Sequence, residues 1–331
     1  MRHNFLHNEM RVPKASIVLL LSCAFALGSC TKKESNPVVT QPDTTKKTDT
    51  VAVGVYSTIP NDTSTFHNGV QIGYVTDPLI QSASGLSASR AYPNMFWTHD
   101  DGGLNNYIFL LDTTGTRKAY FLVAGGGNTD WTDMAIGPGP AAGVNYLYLA
   151  DIGDSKANRA NVSVQRFPEP HSALDTSGAL GQTDKVEYIY FKYPNGPTDA
   201  ETILLDPATK DIYIIDKGTP ANVFVAHYPQ PVDSTFTITK IATIPLVSLR
   251  GGSMSSDGQE ILVRNLTNIY YWKRQPGESI LNTLLRIPMN EPYLPEAHGE
   301  AICWSISGNA YYTTSKLSLN VIPDFTVYRR K

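Results

Sequence analysis

Thr129-Asp-Trp-Thr-Asp-Met-Ala-Ile-Gly-Pro-Gly-Pro-Ala-Ala-Gly-Val-Asn-Tyr-Leu-Tyr-Leu-Ala-Asp-Ile-Gly-Asp154 opens on acidic residues and continues through a short apolar run and a Gly/Pro/Asn turn. It closes on a second run of aromatic and aliphatic residues. The pattern returns in Asp199-Ala-Glu-Thr-Ile-Leu-Leu-Asp-Pro-Ala-Thr-Lys-Asp-Ile-Tyr-Ile-Ile-Asp216 and in Gly299-Glu-Ala-Ile-Cys-Trp-Ser-Ile-Ser-Gly-Asn-Ala-Tyr-Tyr-Thr-Thr-Ser315. Glu201 and Glu300 each stand 12 positions before an aromatic residue, Tyr213 and Tyr312, and Asp133 stands 15 before Tyr148 across a longer turn. Looser copies are Ser84-Gly-Leu-Ser-Ala-Ser89 leading to Met95-Phe-Trp-Thr-His-Asp100, and Gly251-Gly-Ser-Met-Ser-Ser-Asp-Gly-Gln-Glu-Ile-Leu-Val-Arg264. A strand pair returning roughly every 45 to 70 residues is the sequence signature of propeller blades. The reading is all-β: a single β-propeller of five or six blades, because the interval between the copies at Asp133 and Glu201 leaves room for a degenerate sixth.

The composition supports that class. With 18 Tyr, 11 Phe, 25 Gly, 22 Pro and only 17% charged residues, the chain is rich in strand formers and turn formers. Runs such as Tyr107-Ile-Phe-Leu-Leu111 and Ile269-Tyr-Tyr-Trp272 are short, apolar and bounded by turns, which predicts strands. No long stretch has apolar residues at helical spacing, so helix is expected to be minor. Val70-Gln-Ile-Gly-Tyr-Val75 is expected to join the last blade and close the ring, since closure removes exposed sheet edges.

The first 29 residues read as a lipoprotein signal peptide: Arg2, Arg11 and Lys14 lead, and an apolar run from Ala15 to Ala26 follows. Leu27-Gly-Ser-Cys30 then resembles a bacterial lipobox, which makes Cys30 the lipidation site; Cys23 would leave only a stub of apolar run. Residues 30–52 carry almost nothing to bury and are expected to form a disordered tether, with the propeller at 53–331. The protein is thus expected in the bacterial cell envelope, outside the cytoplasm, with the membrane as a partner through a lipid anchor.

A net charge of −3 without a basic cluster in the globular part excludes nucleic acid as a natural partner. Once Cys23 leaves with the signal and Cys30 takes the lipid, Cys303 is left without a disulfide partner. Beside Ile302 and Trp304, it reads as a core residue.

Chemistry is expected where inner strands begin. If the copies superpose, Asp133, Glu201 and Glu300 converge on the axis, with Asp130 and Asp199 near the same rim. Three carboxylates in one cleft need a cation, a cationic partner or raised pKa values, and hard oxygen ligands suit Ca²⁺ or another divalent ion. The same acids can instead tie blades together through backbone amides. A second set, Asp151 and Asp154 with Asn158 around Gly153, is able to wrap Ca²⁺ or to make side-chain-to-backbone turns. His298 beside Glu300 is placed for acid–base catalysis, His99 beside Asp100 is a general base, a ligand or simply hydrogen-bonded, and Arg264 is expected to pair internally with the acidic rim. No nucleophilic-serine or phosphate-cradling signature appears.

The set Trp97-Thr-His-Asp100, Asp130-Trp-Thr-Asp-Met-Ala-Ile-Gly-Pro138, Leu149-Ala-Asp-Ile-Gly-Asp154 with Arg159, Arg166-Phe-Pro-Glu-Pro170, Asp199-Ala-Glu201 and Gly299-Glu-Ala-Ile302 resembles a group of secreted bacterial propeller proteins without an established activity. That resemblance implies fold and export. More distantly, the acid-led inner strands resemble gluconolactonase-type and phytase-like esterase propellers, which implies an axial divalent cation assisting hydrolysis. Ser155 departs from the nearer group's usual Asn, and no complete set of lactonase ligands is matched. Two functions therefore stand: a binding module for an extracytoplasmic glycan, protein or small molecule, or a cation-assisted hydrolase using His298 and Glu300.

Overall fold

The structure, a computed structural model, describes residues 51–101, 103, 105–171, 180–184, 186–318 and 321–331. The expected signal peptide, Cys30 and the expected tether up to residue 50 lie outside the described residues. The described residues form five sheets arranged as a five-bladed propeller, with a single short helix among them, Ile280–Leu285. The inner strands of blades one to five are Ala83–Ala88, Trp131–Pro138, Ala200–Leu205, Gly251–Met254 and Gly299–Trp304. Each of the five motif copies therefore opens on an inner strand, and the described residues form no sixth blade.

The long interval within blade two has another use. Between that blade's third strand, Val162–Pro168, and its fourth, Glu187–Lys192, the chain sends out Leu180–Gln182. This short strand pairs in parallel with Arg117–Leu122, the outer strand of blade one. Blade three lends Phe236–Thr237 to blade two in the same way, and Ala52–Val53 lies along blade three's outer strand, Thr239–Ile244. Each loan covers a sheet edge whose free N–H and C=O groups would otherwise invite pairing with another chain. Val70–Tyr74 pairs with Asp324–Arg329 and closes the ring in blade five, as the sequence predicts.

The core follows from period-two alternation: neighbouring residues of one strand serve opposite blade interfaces. Ile203 and Leu205 pack toward blade two, and Leu204 packs toward blade four. Five apolar clusters fill the five interfaces. Trp97 and Trp131 are fully buried between blades one and two, and Tyr311 and Tyr328 stack at 4.4 Å in blade five. Each such side chain stabilises the ring by about 1.5–3 kcal/mol relative to exposure. Cys303, buried between blades five and one, is a core residue.

Candidate functional site: the charged channel mouth

The start of each inner strand faces the end of the second strand, so Ala83, Trp131, Ala200, Gly251 and Gly299 pair with Asp100, Asp151, Asp216, Arg264 and Ser315. In blades three and five the register slips by one residue immediately afterwards, leaving Glu201 and Glu300 as bulges. A bulge leaves its residue outside the ladder and re-aims the side chain. In blade two the bulged residue is Thr132, so Asp133 lies one position beyond the place that matches Glu201 and Glu300. The sequence spacing misplaced it because the longer turn before Tyr148 absorbed the offset.

That single step separates two roles. Asp133 is fully buried, and its Oδ1 accepts from its neighbour Met134 N at 2.8 Å. Its Oδ2 accepts from Ile203 N at 3.0 Å and Gly252 N at 3.1 Å. One carboxyl thus ties the inner strands of blades two, three and four around the axis. Burial pushes this carboxyl well above the usual carboxylate range, against the pull of the amides.

Glu201 and Glu300 belong to the mouth. Glu300 has no exposed surface, yet its Oε1 lies 2.6 Å from Arg250 Nη1 and its Oε2 lies 2.6 Å from Lys316 Nζ. The Ser84 hydroxyl of blade one is 3.0 Å from Oε2, and His298 Nε2 is 3.4 Å from Oε1. Lys316 also bonds Asp101. Glu201 meets Lys217 Nζ at 2.6 Å, and Lys217 reaches Asp199 at 3.3 Å. Asp101, Lys217 and Lys316 each follow the last residue of a second strand, so the blade repeat itself delivers them to one rim.

Five carboxyls (Asp101, Asp130, Asp199, Glu201, Glu300) thus share the mouth with three permanent cations (Lys217, Arg250, Lys316). The imbalance is met by protons. Burial, then contact with Asp101, pushes Asp130 up to about 7. Burial, then the charge of Glu300, pushes Glu201 up to about 7 despite Lys217. Burial alone would lower Lys316, but Glu300 and Asp101 outweigh it and raise the amine to about 12. Near neutrality the mouth therefore holds acids that donate, carboxylates that accept and fixed cations.

The other residues singled out in the sequence have separate partners. Asp151 accepts from Asp130 N at 3.0 Å and pairs with Arg159 at 2.9 Å. Asp154 accepts from Asn158 N at 2.9 Å and Arg159 N at 3.0 Å, the turn alternative rather than a cation cage. Arg264 is fully buried and pairs with Glu296 at 2.9 Å, not with the acidic rim as expected. His99 is buried beside Trp131, and burial lowers it to about 4, which leaves a neutral ring at pH 7.

For a divalent cation the fit is poor. Both Glu300 oxygens and one Glu201 oxygen face resident cations, and Asp133 faces amides. Among the described residues no group of three or more His, Cys, Asp or Glu side chains is arranged to hold a metal. At the far ends of the inner strands lies a cavity of about 30 Å³ bordered by Met134, Ser253 and Cys303, room for roughly one water.

No protein-family model matches the chain, and no curated protein matches it. Among solved structures it is similar to hydrazine synthase of Kuenenia stuttgartiensis, at 14% identity over 75% of this chain and 71% of that one, with a TM-score of 0.39. The functional reading therefore rests on this chain's own residues.

Proposed function

We propose that the chain is an exported, lipid-anchored propeller that binds a polar extracytoplasmic ligand, a glycan or a protein segment, at the charged mouth. The observation that carries the reading is the concentration of charge around Glu300, a fully buried carboxylate gripped by Arg250 and Lys316. Packing apolar groups there would hold the blades at least as well, because desolvating ions offsets much of their attraction. Charged groups kept at such a place, with two acids poised near neutrality, favour recognition over mere stability. Neutral acids donate and carboxylates accept, which suits hydroxyl and amide groups.

Export is supported by the basic start, the apolar run and Leu27-Gly-Ser-Cys30. The test of the binding reading is a panel of glycans and peptides offered to the detergent-solubilised protein and to Lys217→Met. A ligand bound by the wild type and lost or weakened at least tenfold in the variant supports the mouth. A ligand bound equally by both lies elsewhere on the propeller.

A further inference from the structure

Before the ring closes, the chain runs as a strap along the outside of the propeller. Ala52 and Val53 pair with blade three, Asn61 bridges Asn290 at the outer strand of blade four, and Phe66 bridges Arg330. At blade four two backbone hydrogen bonds hold it, Asp62 N to Asn290 O at 2.7 Å and Asn290 N to Pro60 O at 2.8 Å. Two acids are buried together at this point: Asp62 is 8% exposed and Glu291 is 5% exposed.

Their surroundings differ. Asp62 Oδ1 accepts from Ser64 N at 2.6 Å, Ser64 Oγ at 2.7 Å and Thr65 N at 3.3 Å. Burial pushes Asp62 up, but these donors outweigh it and bring the carboxyl down to about 2, so it stays ionised. Glu291 has no such help: among the described residues, neither of its oxygens meets a donor. The parallel bridge of Asn61 with Asn290 and the Asp62 N–H bond to Asn290 O set Asp62, another acceptor, beside Glu291. The remaining charged or titratable groups facing it are Arg330, Glu260 and Tyr311. Arg330 is committed to both oxygens of Glu260, at 2.8 and 2.9 Å, and the Tyr311 hydroxyl donates to Pro292 O at 2.6 Å. Two carboxyls in contact form a hydrogen bond only when a proton sits between them.

We propose that one proton, carried by Glu291 and donated to Asp62, fastens the strap to blade four, and that losing this proton loosens the strap. Burial, then the charge of Asp62, raises the Glu291 carboxyl to about 8, so the fastening persists through neutral pH. With the strap open, Glu291 regains water and titrates near its ordinary value of about 4.3. The contribution is complete below that value and is lost as pH rises through about 8. Between the two values, strap opening increases by up to about tenfold per pH unit, then levels off.

Hydrogen exchange read by mass spectrometry on the full chain tests this, with protection factors used to remove the intrinsic pH dependence of exchange. In the wild type, protection over residues 52–66 and 286–293 is expected to fall by roughly tenfold per unit from pH 6 to 8 and then flatten. In Glu291→Gln, which has no proton to lose, it is expected to stay level. Should that variant fail to fold, Asp62→Asn removes the charge that retains the proton and should move the bend to lower pH. Identical profiles in wild type and variant, or a wild type with pH-independent protection, would overturn the proposal. Loss of protection on adding EDTA at pH 7 would also overturn it, by putting a metal ion where the proton is assigned.

Discussion

Arg250 Nη1 lies 2.6 Å from Glu300 Oε1 across the junction of blades four and five, and the partner carboxylate has no exposed surface. Breaking a buried pair strands the charge left behind, at about 3–5 kcal/mol. Glu300→Gln also weakens the hold on Lys316 and is expected to destabilise by about 3 kcal/mol. A lower urea midpoint with an unchanged slope would show this. A midpoint equal to that of wild type would mean that the cluster is solvated and loose.

A glycine makes the second buried pair possible. A Cβ at Gly299 would lie 2.0 Å from Arg264 Nη2 and 2.3 Å from Glu296 Oε2, and neither fully buried partner has room to retreat. Gly299→Ala is therefore expected to cost about 3–5 kcal/mol, seen as a large fall in Tm. A variant melting within a degree or two of wild type would show that the pair can shift.

The mouth sets a pH dependence. Asp130 and Glu201 are raised to about 7 in the folded state, so their contribution is complete below the ordinary carboxylate range near 4 and is lost as pH rises through 7. Stability is expected to decline from pH 5 to 8, by up to about 1.4 kcal/mol per unit for each proton involved. Glu201→Gln should flatten the decline. An equally steep slope in the variant would place the protons elsewhere.

Resident cations already pair with both Glu300 oxygens and one Glu201 oxygen. A cation bound at about 100 times its dissociation constant would add roughly 2.7 kcal/mol. Melts in EDTA and in Ca²⁺, Mg²⁺ or Mn²⁺ are expected to coincide. A Ca²⁺-dependent rise that disappears in Glu201→Gln would restore the cation-assisted hydrolase.

The proposed lipid anchor depends on one thiol, Cys30. Cys30→Ala is expected to release the protein from the membrane pellet into soluble fractions, and a variant that stays in the pellet would refute the lipid anchor.

The propeller was legible because period-two alternation and hairpin turns are local, and each inner strand carries both within a few residues. The blade number was not, because the excursion that adds Leu180–Gln182 to blade one lengthens blade two without adding a repeat. Glu201 and Glu300 were found at the mouth because their bulges share a spacing. Asp133 was misplaced by one residue, enough to exchange cationic partners at the mouth for backbone amides at the axis. Lys217, Lys316 and Asp101 went unnoticed although aligning the ends of the second strands would have shown them. Arg250 precedes an inner strand whose acidic partner is 50 residues away, and no local pattern joins them.

The central claim is that a ligand binds at the mouth, where protons balance the charge. Calorimetric titration of the best ligand into the solubilised protein at pH 7, in buffers of different ionisation heat, tests it most directly. The expected result is a binding enthalpy that varies with buffer, because Asp130 or Glu201 gains or loses a proton, and a weaker, buffer-independent enthalpy in Glu201→Gln. Equal affinity and equal buffer dependence in wild type and variant would contradict it.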